Sequence, residues 1–132
     1  MASIESPQAN VILVVDDNNT TRDLVTGVLV KAGFAVRAAN NGAEGFEIFR
    51  ELADHIALVL AEVTLPVIDG MTMAAKMTKY MPGTPIVLMS AFSASEIASG
   101  RGGSFAVLQK PFFARELLRI VNANLKPPSD GS

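Results

Sequence analysis

"LVLAEVTLPVIDG", residues 58–70, is an apolar run that ends on a carboxylate, Glu62, and then breaks into a loop holding Pro66 and Gly70. A strand with one wet face would alternate apolar and polar residues. A continuous apolar run instead suits a strand covered by helices on both faces. An acid at the end of such a strand stands at the rim of a parallel sheet, where open α/β folds bind their ligands. The same character recurs in "VILVV" (11–15), "FAVRAA" (34–39), "IALVLA" (56–61), "IVLM" (86–89) and "FAVL" (105–108).

Helical patterns fill the gaps. "NNTTRDLVTGVLVKAGF" opens on capping residues, sets Leu24 and Val28 one turn apart, and stops at Gly33, which can take the left-handed conformation after a helix end. A helix near 42–53 aligns Ala43, Phe46, Phe49 and Ala53. One near 71–80 turns Met73 and Met77 inward as core filling and ends at Pro82-Gly83, and a last one over 113–125 lines up Leu117, Val121 and Leu125. Five βα units in a row predict an α/β fold, a doubly wound five-stranded parallel sheet with right-handed crossovers and helices on both faces.

The chain has 132 residues, enough for one domain with one core. Residues 1–10 and 126–132 are rich in Ser, Pro, Asn and Asp and are expected to be flexible ends around a domain at 11–125. Mean hydropathy is +0.34, yet no run approaches the ~18 apolar residues of a membrane span. Lys+Arg number 11 and Asp+Glu 13, so a net charge of −2 gives no electrostatic reason for nucleic acid as a ligand and favours protein partners. Cysteine is absent, which excludes disulfides and thiolate metal sites. The first ten residues lack the basic and apolar regions of a signal peptide, so a cytoplasmic location is expected.

The residues that follow the strands carry the chemistry. Asp16 and Asp17 follow the first run, Glu62 the third, Ser90 the fourth, and Lys110-Pro111 the fifth. Singly, each has a plain reading: paired acids complement a helix dipole, Ser90 turns a chain, and a Lys before Pro is a solvated loop charge. Together they make a hard-cation site beside an anion site, carboxylates for Mg²⁺ and a hydroxyl with an ammonium for phosphoryl oxygens. Neither GxxxxGK[ST] nor GxGxxG is present, so the anion is not the phosphate of a cradled nucleotide. His55 falls at the opposite end of the sheet and is given no role.

"VILVVDDNNTTRDLV", "LVLAEVTLPVIDGM", "IVLMSA" and "FAVLQKPFF" resemble, in order and spacing, the motifs of the receiver domains of bacterial two-component response regulators. The resemblance spans about 11–125 and implies the flavodoxin-like strand order 2-1-3-4-5. It implies that Asp16, Asp17 and Glu62 help hold Mg²⁺ with the backbone carbonyl of Thr64. It also implies that Ser90 contacts a phosphoryl oxygen, that Lys110 pairs with the acceptor carboxylate, and that the Lys110-Pro111 bond is cis. The implied partners are a sensor histidine kinase or phosphotransfer protein and a downstream effector. A stand-alone signalling module, not an enzyme, is expected. A degenerate receiver that works through protein contacts alone is the alternative. An Mg²⁺-dependent phosphatase or phosphotransferase is a third reading, opposed by the lack of a nucleophilic Asp at position 62.

Three positions depart from the family. Its acceptor is an aspartate, and here Glu62 adds a methylene that moves the carboxylate by ~1.5 Å. A shift of ~1 Å can cost about a hundredfold where in-line geometry matters, so phosphorylation is expected to be blocked and partly mimicked. Two like charges ~4 Å apart cost on the order of 4 kcal/mol at an effective dielectric of ~20, so three acids need a cation or a proton among them. Val107 stands where the family places a mobile Tyr or Phe, and has little rotamer freedom. In "SASEIASGRGG" (93–103), Ser93 and Glu96 form a capping-box pattern, but Gly100, Gly102 and Gly103 limit the helix to about one and a half turns.

Overall fold

In a computed structural model, residues 10–93, 96 and 105–125 are described. Five strands, β1 (Val11–Val15), β2 (Ala35–Ala39), β3 (Ile56–Glu62), β4 (Ile86–Ser90) and β5 (Ala106–Gln109), pair in parallel in the order 2-1-3-4-5. Among the described residues four α-helices of more than two turns accompany them: α1 (Asn19–Lys31), α2 (Gly42–Leu52), α3 (Gly70–Tyr80) and α4 (Ala114–Asn124). The capping box at Ser93 forms: the Ser93 amide donates to Glu96 Oε1 at 2.8 Å and the Glu96 amide to Ser93 Oγ at 3.3 Å. The rest of that expected helix lies outside the described residues.

The three central strands, β1, β3 and β4, are apolar almost throughout because both of their faces are buried, whereas the edge strand β2 carries Arg37 and is mostly exposed and the other edge strand, β5, is only partly buried. Leu13, Val15, Val59, Ala61 and Leu88 face one way, against Ile48, Phe49, Met73 and Met77 of α2 and α3. Ile12, Val14, Leu58, Leu60, Val87 and Met89 face the other, against Val25 and Leu29 of α1 and Leu117 and Val121 of α4. Each large side chain fully buried here contributes about 1.5–3 kcal/mol.

Two expected helix faces are rotated. On α1 the buried pair is Val25 and Leu29, while Leu24 is 57% exposed. On α2 Ala43 is exposed, and Gly42, Gly45 and Ile48 join Phe49 in the interior. Met73 and Met77 fill the core as expected.

The helix starts follow the caps. Asn18, Asn41 and Asp69 accept the amides of Thr21, Glu44 and Thr72 at 2.8–2.9 Å, and Glu116 accepts the Phe113 amide at 2.7 Å. Gly33 ends α1 with φ +102°, as its type allows. Gly70 has a different purpose: a Cβ there would lie 2.1 Å from the Glu62 carbonyl oxygen, so α3 begins directly against the backbone of that residue.

Candidate functional site

Register brings the rim together. Val15 pairs with Ala61, Glu62 with Met89 and Ser90 with Gln109, so Asp16, Glu62, Ser90 and Lys110 come level at the carboxyl ends of β1, β3, β4 and β5. Backbone bonds carry the ladder past the strands, with the Val63 amide on Met89 O at 3.0 Å and the Lys110 amide on Ser90 O at 2.7 Å. The Lys110-Pro111 bond is cis.

The Lys110 ammonium stands between two carboxylates. It donates to Asp16 Oδ2 at 3.2 Å and to Glu62 Oε1 in a short contact. The side chains of Lys110, Asp16 and Glu62 are 25%, 1% and 12% exposed, so the group is largely withdrawn from solvent. Burial lowers the Lys110 pKa, but its hydrogen bond to Glu62 and the charges of Glu62 and Asp16 outweigh that and hold it above the ordinary value. The other Glu62 oxygen, Oε2, accepts the Thr64 amide at 3.3 Å. Both acceptor atoms of the carboxylate are therefore engaged.

The remaining sequence-derived residues lie at the margins. Asp17 is exposed beside Asp16, and Thr64 is exposed on the loop after β3. Ser90 is buried and its Oγ accepts the Phe92 amide at 2.9 Å, within its own loop. Val107 is half-buried, pairs with Leu88 and packs on the α2–α3 side of the core.

Two residues were missed by sequence reasoning. Arg22, one turn into α1, donates to the Asp16 carbonyl at 2.7 Å and also reaches Asn19, tying the acid-bearing loop to the helix. Its position one turn after the Asn18 cap was the available signal. Val67 has φ +72°, and the Ile68 amide bonds back to Pro66 O at 2.8 Å, a tight turn of the positive-φ kind two residues beyond Leu65. No sequence signal marks a β-branched residue for that conformation.

Oxygen donors of this kind suit Mg²⁺. The residues fit it in chemistry, but among the described residues no three His, Asp or Glu side chains are grouped as a metal site. The ammonium of Lys110 holds the place between Asp16 and Glu62.

Comparisons with known proteins agree with this geometry. The response regulator receiver domain family matches residues 12–122. The regulatory protein AtoC of Escherichia coli is 33% identical over 119 residues, 89% of this chain and 25% of that protein. The transcriptional regulatory protein SrrA of Staphylococcus aureus is 31% identical over 120 residues, 89% of this chain and 48% of that protein. The chain thus spans a quarter to about a half of these curated relatives. Among solved structures, a response regulator receiver domain protein from Clostridium thermocellum superposes with TM-score 0.77 at 27% identity, covering 86% of this chain and 91% of that one. The chemotaxis protein CheY4 of Vibrio cholerae gives TM-score 0.78 at 25% identity, covering 87% and 98%.

Proposed function

This chain belongs to the response regulator receiver domain family, and from that premise we propose that it is a receiver whose acceptor position is chemically closed. Receivers are signalling modules of two-component systems. Here Glu62 supplies about one negative charge in place of the ~1.5 to 2 of a phosphoryl group, with two acceptor oxygens rather than three. The observation that carries the reading is that both Glu62 oxygens are already held, one by Lys110 and one by the Thr64 amide.

In this reading Lys110 plays the part it would play toward a phosphorylated acceptor: its ammonium neutralises the charge at the end of β3 and draws the β5 loop toward it. Asp16 shares that ammonium and Arg22 holds the Asp16 backbone in place. Ser90 keeps its hydroxyl within the β4 loop. Mg²⁺, when bound, would be held by Asp16 and Asp17 with Glu62 and the Thr64 carbonyl, and would offset acidic charge at the rim. The partners are a sensor histidine kinase or phosphotransfer protein and a downstream effector. Among the described residues no helix is long and apolar enough to cross a membrane.

The test is intact mass after incubation with acetyl phosphate and Mg²⁺. The chain with Glu62 should gain nothing stable, and the Glu62→Asp variant should gain one phosphoryl group as the aspartate attacks phosphorus and acetate leaves. Gain by the Glu62 form refutes a closed site. No gain by either form leaves a receiver that acts through protein contacts alone.

A further inference from the structure

At the far end of α3 from the acid rim, α2 and α3 form a shallow cleft of about 340 Å³ lined by Phe46, Lys76, Lys79 and Tyr80. The two helices pack side by side, and their aromatic rings interlock. Tyr80 meets Phe46 edge-on at 6.1 Å between centroids and Phe49 at 6.3 Å. Phe49 is fully buried, whereas Tyr80 is half-exposed and Phe46 partly so, which leaves an aromatic floor open to water.

Cations rim this floor. Lys76 Nζ lies 4.9 Å from the Phe46 centroid, and the Arg50 guanidinium lies 5.7 Å from it. Arg50 is neutralised by Glu47 at 2.8 Å. Neither Lys76 nor Lys79 meets a carboxylate among the described residues. Lys79 also complements the C-terminal dipole of α3, a role it fulfils in full solvent and one that does not call for open rings beside it. The chain as a whole is acid, at −2, so this concentration of unpaired positive charge runs against its overall balance.

We propose that the cleft docks an acidic segment of a protein partner. One apolar or aromatic side chain of the segment covers the Phe46 and Tyr80 rings, and its carboxylates meet Lys76 and Lys79. Charge complementarity selects the occupant: the ammonium groups repel basic segments, and the rings reward a residue that excludes water from them. The ten steps from Gly70 to Tyr80 along α3 place Tyr80 ~15 Å along the helix from Gly70, which abuts Glu62. Docking here therefore leaves the acid rim uncovered, and the proposal does not depend on whether position 62 accepts a phosphoryl group.

Tyr80 is the single tyrosine of a chain without tryptophan, so its emission reports on this cleft alone. The full chain is titrated with the capped peptide Asp-Glu-Phe-Asp-Glu at low salt. A saturable change in Tyr80 emission is expected, weakened about tenfold or more in the Lys76→Glu/Lys79→Glu variant and weakened again as salt rises from about 50 to about 300 mM. The peptide Lys-Lys-Phe-Lys-Lys should give no saturable change, an arm that needs no variant to fold. The proposal is overturned by the absence of saturation with the acidic peptide, by equal binding of the basic peptide, or by undiminished binding in a variant whose thermal unfolding matches the parent. An emission change that follows chain concentration without peptide also overturns it, because the occupant is then a second copy.

Discussion

Replacing Val67 with Asn should make the protein more stable. Val67 is a β-branched residue at φ +72°, in a turn closed by the Ile68 amide on Pro66 O at 2.8 Å. Holding a non-glycine residue in that region costs about 1–3 kcal/mol, and β-branching places valine among the least suited side chains. The residue is 76% exposed, so removal of its side chain forfeits only about 0.5 kcal/mol of burial. Asn visits the left-handed region with a smaller penalty. The balance is a gain of about 1 kcal/mol, or a rise of about 3–5 °C in Tm for a domain of this size. Val67→Gly should gain less, since added freedom in the unfolded chain returns about 0.5–1 kcal/mol. Thermal and urea unfolding followed by circular dichroism rank the three chains as Asn, then Gly, then Val. If Val67→Asn melts at or below the parent, the strain assigned to this turn is wrong.

Gly70→Ala should destabilise by about 2–3 kcal/mol, because its Cβ would sit 2.1 Å from the Glu62 carbonyl oxygen and neither backbone can yield without moving the acceptor loop. A urea midpoint unchanged from the parent would contradict that close approach. Lys110→Met should cost about 2–3 kcal/mol, less than for a wholly buried pair because the lysine keeps some solvent. Its pH dependence follows from a folded pKa raised above 10.5: the stabilisation is complete below that value and is lost as pH climbs through the higher folded value. The stability difference between parent and Lys110→Met should stay flat from about pH 6 to about pH 9 and shrink only at stronger alkalinity. A difference that fades by about pH 8 would show that the ammonium is not held in this way.

The central strands β1, β3 and β4 were legible because burial on both faces writes itself as nearly uninterrupted apolar runs, while the edge strand β2 was read from a run that Arg37 interrupts; each observed strand begins or ends within a residue of its run. The rim was legible for a related reason: parallel strands in register bring their following residues level, so Asp16, Glu62 and Lys110 could be assembled on paper. The rotation of α1 was not. Leu24, Val25, Val28, Leu29 and Val30 offer two apolar stripes one residue apart, and only the sheet beneath selects Val25 with Leu29. On α2, glycines serve as the contact surface: a Cβ on Gly45 would meet Val15 and Met73 at 2.9 Å, and a search for apolar side chains cannot register a residue that has none. Arg22 escaped because its partner is a backbone carbonyl, which every residue possesses.

The doubly held Glu62 bears on how such a module keeps time. An aspartyl phosphate is a perishable mark: it forms when a donor is active and hydrolyses afterwards, so a receiver that carries it records recent history. A carboxylate fixed between Lys110 and the Thr64 amide has no bond to make or lose. On the proposed reading the domain therefore holds a constant, and the strength of its signal is set by how many copies the cell makes and destroys.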